Sequence, residues 1–102
     1  MIAKDLNDIV CEQFDNCKSL LIKKGDEYSM DEDRLLAFKR AAGIQGETPR
    51  QALCGMLAKH VVSIFDMSMS GQEFSVDRWN EKITDAINYL VLLKALIWEE
   101  QQ

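Results

Sequence analysis

The sequence predicts an all-α protein, a compact four-helix bundle that is completed by homodimerisation. Four stretches repeat apolar residues at helical spacing, and no segment shows the sustained alternation of a β-strand. The segments between these stretches are short, which is typical of a helical bundle. The length of 102 residues suits one domain, so a single domain over residues 1–102 is expected.

The first two helices are predicted over roughly residues 4–24 and 31–42. Gly25 ends the first helix, whose apolar stripe consists of Leu6, Ile9, Val10, Phe14, Cys17, Leu20 and Leu21. The second helix is expected to bury Leu35, Leu36 and Phe38. Acids fit the positive N-terminal end of a helix and bases fit its negative end. This rule places Asp31, Glu32 and Asp33 at the start of the second helix and Lys39 and Arg40 at its end.

The single proline marks the start of the third helix, predicted over roughly residues 49–69. Thr48 suits the N-cap and Pro49 the first helical position, where its missing N–H costs nothing. The helix is apolar on almost every side, which indicates a central position. Its narrow polar stripe consists of Lys59, Ser63 and Asp66, with His60 to one side.

The fourth helix is predicted over roughly residues 77–99, with Ser75 or Asp77 as its cap. Its strong apolar face carries Trp79, Ile83, Ala86, Ile87, Leu90, Leu93 and Ile97. The opposite face begins with Glu81, Asp85 and Asn88 and then becomes apolar. This pattern indicates either a pocket lined by acids or a subunit interface. Because the third and fourth helices carry more apolar surface than four short elements can cover, a homodimer is expected.

Composition limits the possible functions. The 12 basic and 17 acidic residues give a net charge of −5, which argues against binding to nucleic acid. Three cysteines, one histidine and no Cys-x-x-Cys argue against zinc or a disulfide framework and fit buried thiols in a reducing compartment. The N-terminus does not resemble a signal peptide, and the longest apolar run, residues 89–98, is far below the ~20 residues needed to span a bilayer. A cytoplasmic protein with no membrane partner is therefore expected.

Glu81 and Asp85 form the strongest candidate for a metal site. They are four residues apart, so both carboxylates project from one side of a helix. Such a pair can hold Mg²⁺ or Mn²⁺, which prefer oxygen ligands and often retain water and substrate phosphates. The alternative is a solvated acidic face at the start of a helix, where acids also suit the helix dipole.

The polar stripe of the third helix offers further candidates. Lys59 can contact a phosphate and Asp66 can contact a metal, or both can belong to a thin solvent-facing stripe. His60 can act as a proton shuttle or phosphate contact, or it can be a core or interface histidine with one satisfied nitrogen.

The turn after the first helix, residues 23–29, is dense in hydrogen-bond donors and acceptors. It suits a binding site that includes Glu27 and Tyr28, and it equally suits an ordinary helix stop. The sequence carries no glycine-rich phosphate loop, no Ser/His/Asp set and no Cys–His nucleophile pattern.

Several segments taken together resemble a known family. These are Lys24-Gly25-Asp26-Glu27-Tyr28-Ser29, Phe38-Lys39-Arg40-Ala41-Ala42, residues 52–67 and residues 79–90. Their order is similar to that of small phage and prophage proteins related to the nucleotide modification associated domain family. The resemblance covers about residues 20–98 and implies a phage-derived protein that acts on a nucleotide.

A more distant resemblance is to the all-α nucleotide pyrophosphatases of the MazG and dimeric dUTPase type. Those enzymes use Glu-x-x-Glu on one helix and Glu-x-x-Asp on another to bind Mg²⁺, which holds a nucleoside triphosphate for attack by water. Glu81 and Asp85 are similar to the second motif, with a spacing of four in place of three. The third helix has no Glu-x-x-Glu, and Asp26 or Glu27 can supply a further acid.

Together, the residues and the resemblance predict a nucleotide-binding protein with possible Mg²⁺-dependent hydrolysis. Glu81, Asp85 and Asp66 are expected to hold Mg²⁺ or Mn²⁺ at the catalytic site. Substrate contacts are expected from Lys59, His60, Asn88, Glu27 and Tyr28. The alternative function is a non-enzymatic phage accessory protein that binds a host or defence protein.

Overall fold

The computed structural model describes residues 1–25 and 32–102, without the side chains of residues 24 and 25. It contains four helices, α1 (Ala3–Gly25), α2 (Leu36–Gln45), α3 (Pro49–Met69) and α4 (Val76–Glu100). No strand occurs within these described ranges. The prediction of an all-α fold is confirmed. The chain divides into two units, Met1–Glu32 and Asp33–Gln102.

The first unit contains α1, whose predicted apolar stripe is only partly buried. Cys17 retains 5% of its exposure, whereas Phe14 retains 61% and Leu6 52%. Ile9 and Val10, which continue the same stripe, are also exposed. The expectation of buried thiols is therefore correct for Cys17 and wrong for Cys11 and Cys54, which are exposed free cysteines.

The second unit is built around α3, which packs against both α2 and α4. Four buried side chains form the core, Leu35, Phe38, Leu53 and Leu96. Met56, Tyr89, Leu92 and Leu93 are partly buried and pack against this core. The apolar character of α3 thus places it at the centre of the unit, as expected from its sequence.

Side-chain caps define where α3 and α4 begin. The Gln51 amide donates to Thr48 Oγ1 over 3.2 Å, and the Thr48 amide donates to Gln51 Oε1 over 2.9 Å. These reciprocal bonds form a capping box in front of Pro49. Ser75, not Asp77, caps α4, because its hydroxyl accepts a hydrogen bond from the Arg78 amide at 3.2 Å.

The second helix begins later than predicted. Asp33 Oδ1 accepts a hydrogen bond from the Leu35 amide at 2.9 Å, so the chain turns before the helix starts at Leu36. Lys39 consequently lies near the N-terminal end of α2, and its predicted position at the C-terminal end is wrong. The helix instead ends at Gln45, followed by Gly46 with a left-handed φ of 67°.

The buried face of α4 is turned away from the predicted one, with which it shares Leu93 against the core. Thr84, Asn88 and Leu96 are its buried residues, whereas Ile83 and Leu90 on the predicted core face retain 37% and 53% of their exposure. This helix is apolar on two sides, and Leu92 and Leu96 on the second side reach the shared core. Packing against α3 therefore selects the less apolar face, which carries two polar side chains.

Two ion-pair groups attach the C-terminal end of α4 to the other helices of the unit. Lys39 Nζ lies 2.5 Å from Glu99 Oε1 and 2.6 Å from Asp33 Oδ2. Arg50 Nε donates to Glu100 Oε2 over 2.6 Å. Acids at a helix C-terminus oppose the helix dipole, and these bases from α2 and α3 offset that repulsion.

The Asp33–Lys39 ion pair predicts an acid-sensitive contribution to stability. The hydrogen bond from Lys39, with a second from the Leu35 amide, holds the pKa of Asp33 below its ordinary value of 3.8. A lowered carboxyl pKa stabilises the fold above the ordinary value, and this contribution disappears as pH falls through the folded-state pKa. Both side chains are about one-third exposed, so solvent screens the ion pair and its contribution to stability is expected to be small.

Asp33→Asn is therefore expected to reduce the loss of unfolding free energy between pH 6 and pH 2. Urea unfolding across this pH range measures the slope. Asp15→Asn, at an exposed acid of α1, is the control and should follow the wild-type slope. An unchanged slope in Asp33→Asn would contradict the assignment.

By length and composition alone, α3 is long and apolar enough to cross a membrane. It has 21 residues and a mean hydropathy of 1.2 over its most apolar window, of which 17% is buried. Core helices of soluble proteins share this length and composition. The predictions of a cytoplasmic location and no membrane partner stay predictions.

Candidate functional site

An open groove of about 530 Å³ lies between the second half of α3 and the start of α4. We call it the α3–α4 groove. Its lining residues are Lys59, Val62, Ser63, Asp66, Met67, Ser70, Gln72, Phe74 and Arg78. Two basic side chains and one acidic side chain thus share an open groove with three apolar side chains.

The segment that joins α3 to α4 forms one end of this groove. Ser70 Oγ donates to the Met67 carbonyl and accepts from the Gln72 amide, each over 3.1 Å. Gly71 follows the helix with a left-handed φ of 72°, a conformation that favours glycine. These local interactions fix the turn and place Phe74 in the groove wall.

Arg78 is held in place by an aromatic ring. Its guanidinium carbon lies 5.3 Å from the centroid of the Phe74 ring, within the range of a cation–π interaction. The Phe74 ring in turn meets the Trp79 ring edge-on, with centroids 6.1 Å apart and an interplanar angle of 88°. Arg78 is not among the site residues predicted from the sequence, and the spacing of four from Phe74 does not indicate this contact, because Phe74 lies before the Ser75 cap of α4.

A second cavity of about 440 Å³ adjoins the start of α4 and is called the α4 recess. Its lining residues are Ser75, Asp77, Arg78, Glu81 and Lys82. Arg78 lines both cavities, so its side chain lies where the groove and the recess meet. The recess carries two acids and two bases at the positive end of a helix.

The three predicted metal ligands do not share one cavity. Asp66 lines the α3–α4 groove and Glu81 lines the α4 recess, whereas half-buried Asp85 lines neither. Across the described residues, no three His, Cys, Asp or Glu side chains form a group that could hold a metal ion. The Mg²⁺ or Mn²⁺ site at Glu81, Asp85 and Asp66 stays a prediction.

The predicted substrate contacts also occupy different surroundings. Lys59 lines the groove and is exposed. His60 is half-buried and its ring lies 4.8 Å from that of Tyr89, tilted by 35°. Asn88 is 5% exposed, and neither its Nδ2 nor its Oδ1 atom has a hydrogen-bond partner among the described residues. His60 thus has an aromatic packing role, and Asn88 lies within the helix packing of the second unit.

Glu27 and Tyr28 lie outside the described residues, as do Asp26 and Asp31. The prediction of a binding loop at residues 23–29 therefore stays a prediction.

No family model, no curated protein and no solved structure significantly matches this chain. The resemblance to the nucleotide modification associated domain family and to the all-α pyrophosphatases therefore rests on the sequence segments given above.

Proposed function

We propose that the α3–α4 groove binds a nucleotide, with Arg78 and Lys59 at its phosphate groups. The observation that carries this proposal is the position of Arg78, which is held over Phe74 where the groove meets the α4 recess. A guanidinium group can donate two parallel hydrogen bonds to phosphate, and an ammonium group adds a compact positive charge.

The remaining groove residues suit the nucleoside part of such a ligand. Val62 and Phe74 supply apolar surface against which a base can pack. Ser63, Ser70 and Gln72 supply hydrogen-bonding groups that can select its orientation. An anionic ligand with a flat apolar part therefore matches the groove better than an uncharged or cationic one.

We include Mg²⁺ in this proposal because it is commonly bound by one or two carboxylates together with substrate phosphates. Glu81, which lines the recess together with Arg78, is the acid that would hold it. The bound ion would withdraw charge from the phosphate and favour attack by water. The proposed reaction class is therefore hydrolysis of a nucleoside phosphate.

The test is a thermal-shift panel of nucleoside mono-, di- and triphosphates, including modified ones, with and without Mg²⁺. A ligand at ~100 times its Kd adds about 2.7 kcal/mol of stability, which corresponds to a rise of about 10 °C or more. We expect Arg78→Ala to abolish the shift and Glu81→Ala to remove its Mg²⁺ dependence.

Lys94→Ala is the matched control, because Lys94 is an exposed base of α4 that lines neither cavity. It should retain the full shift. A shift that survives in Arg78→Ala would place the ligand elsewhere. A panel with no shift, measured on folded protein, would instead favour the accessory-protein alternative, for which the exposed apolar stripe of α1 offers a contact surface.

A further inference from the structure

The side of α3 that faces away from the core carries a continuous apolar stripe. Its residues are Gly55, Ala58, Val62, Phe65 and Met69, and we call them the α3 seam. Their spacing of three, four, three and four residues is the spacing of a coiled-coil contact line. The three large side chains are 56%, 64% and 85% exposed for Val62, Phe65 and Met69.

We propose that the α3 seam binds the α3 seam of a second copy of this chain, with the two helices antiparallel. A two-fold axis would pass close to Val62, because this residue is at the centre of the stripe. The inference concerns self-association and does not rest on the nucleotide proposal, although Lys59, Val62 and Asp66 also line the α3–α4 groove.

The sizes of the side chains along the seam support the antiparallel direction. The stripe begins with the small residues Gly55 and Ala58 and ends with the large residues Phe65 and Met69. About a two-fold axis at Val62, Gly55 meets the partner's Met69 and Ala58 meets the partner's Phe65. Large side chains would then fill the space above small ones, as close packing requires.

The second observation is that nothing in the described part of the chain requires glycine at position 55. A Cβ atom added to Gly55 would meet nothing within 4 Å. A glycine inside a helix costs about 1 kcal/mol relative to alanine. Close approach of the partner's Met69 gives this glycine a packing role that its own chain does not supply.

Charge complementarity is the third observation. Lys59 and Asp66 are seven residues apart on one flank of the seam, and the described part of the chain offers neither of them an ion pair. Equivalent flanking positions meet across an antiparallel helix pair. Lys59 would therefore meet the partner's Asp66, and the two-fold axis would repeat the contact. A parallel pair in register would not bring these two residues together.

The first test measures mass in solution by analytical ultracentrifugation, without nucleotide. The wild type is expected at twice the chain mass of 11.7 kDa, and Val62→Glu at the mass of one chain. In that variant, two carboxylates would face each other at the axis. A monomeric wild type, or a Val62→Glu protein that remains dimeric, would overturn the proposal.

A charge exchange tests the direction of the helices. Lys59→Asp alone should weaken the dimer at least about tenfold, because symmetry replaces two attractions with two repulsions. Adding Asp66→Lys to this variant should restore the dimer to within about threefold of wild type. Failure of the double variant to recover would overturn the antiparallel alignment.

Gly55→Leu tests the close approach without depending on the charges. The open space around Gly55 allows the variant to fold, whereas the larger side chain would collide with the partner's Met69. We expect a folded monomer. Gly43→Leu is the matched control, because Gly43 is a helical glycine with equal space, and it should leave the dimer intact.

A monomeric wild type that co-sediments with phosphatidylcholine vesicles would assign the seam to lipid and overturn the proposal.

Discussion

Leu53→Ala is expected to lower the free energy of unfolding by about 2–5 kcal/mol. Leu53 has 0% exposure and belongs to the buried cluster with Phe38 of α2 and Leu96 of α4. Truncation at this point removes contacts with both neighbouring helices and leaves a cavity that the helix backbones cannot readily close. Urea denaturation followed by circular dichroism measures the change.

Leu36→Ala is the control for this experiment. Leu36 lies on α2 and is 39% exposed, so the same truncation should cost less than about 1 kcal/mol. A loss at Leu53 no larger than the loss at Leu36 would show that α2, α3 and α4 do not share the core described above.

Asn88→Leu is expected to stabilise the protein by about 1–3 kcal/mol. The Asn88 side chain is 5% exposed; among the described residues its amide nitrogen finds no acceptor and its oxygen finds no donor. A buried polar group without a partner costs roughly this amount, and leucine has a similar shape without the polar atoms. Asn88→Asp should act in the opposite direction, because it would bury a carboxylate.

Asn16→Leu, at an exposed position of α1, should change stability by less than about 0.5 kcal/mol. Destabilisation by Asn88→Leu would show that the amide has a partner.

Nucleotide titration of the same variant examines the predicted substrate role of Asn88. Gained stability with loss of the nucleotide shift would support that role, whereas gained stability with an unchanged shift would count against it.

The helix boundaries that could be predicted are those set by local chemistry. Thr48 and Pro49 encode the start of α3 through a cap and a fixed φ angle, and both act within a few residues. The predicted start of α2 is wrong because an acid near a helix end can either lie in the first turn or form a turn before the helix. Asp33 accepts a hydrogen bond from the Leu35 amide before the helix begins. The helix-dipole argument instead places Asp33 in the first turn.

The orientation of α4 could not be predicted from periodicity. Periodicity identifies the most apolar face of a helix but does not show which face its neighbours cover. The buried face depends on α3, and Leu96 and Leu92 give the less apolar side enough surface to reach the core. The presence of Lys59 and Asp66 in the lining of one groove follows from their helical spacing. By contrast, the position of Arg78 in the groove lining depends on the turn at Gly71, which brings α4 back beside α3.

Lys59, Val62 and Asp66 line the α3–α4 groove and also lie on or beside the α3 seam. Occupancy of the groove and association of two chains would therefore be thermodynamically linked. An anionic ligand would compete with the partner's Asp66 for the Lys59 ammonium group, so we expect ligand to raise the dimer dissociation constant. By reciprocity, dilution to monomer would tighten ligand binding by the same factor. The protein would then bind its ligand more tightly at low concentration than at high concentration.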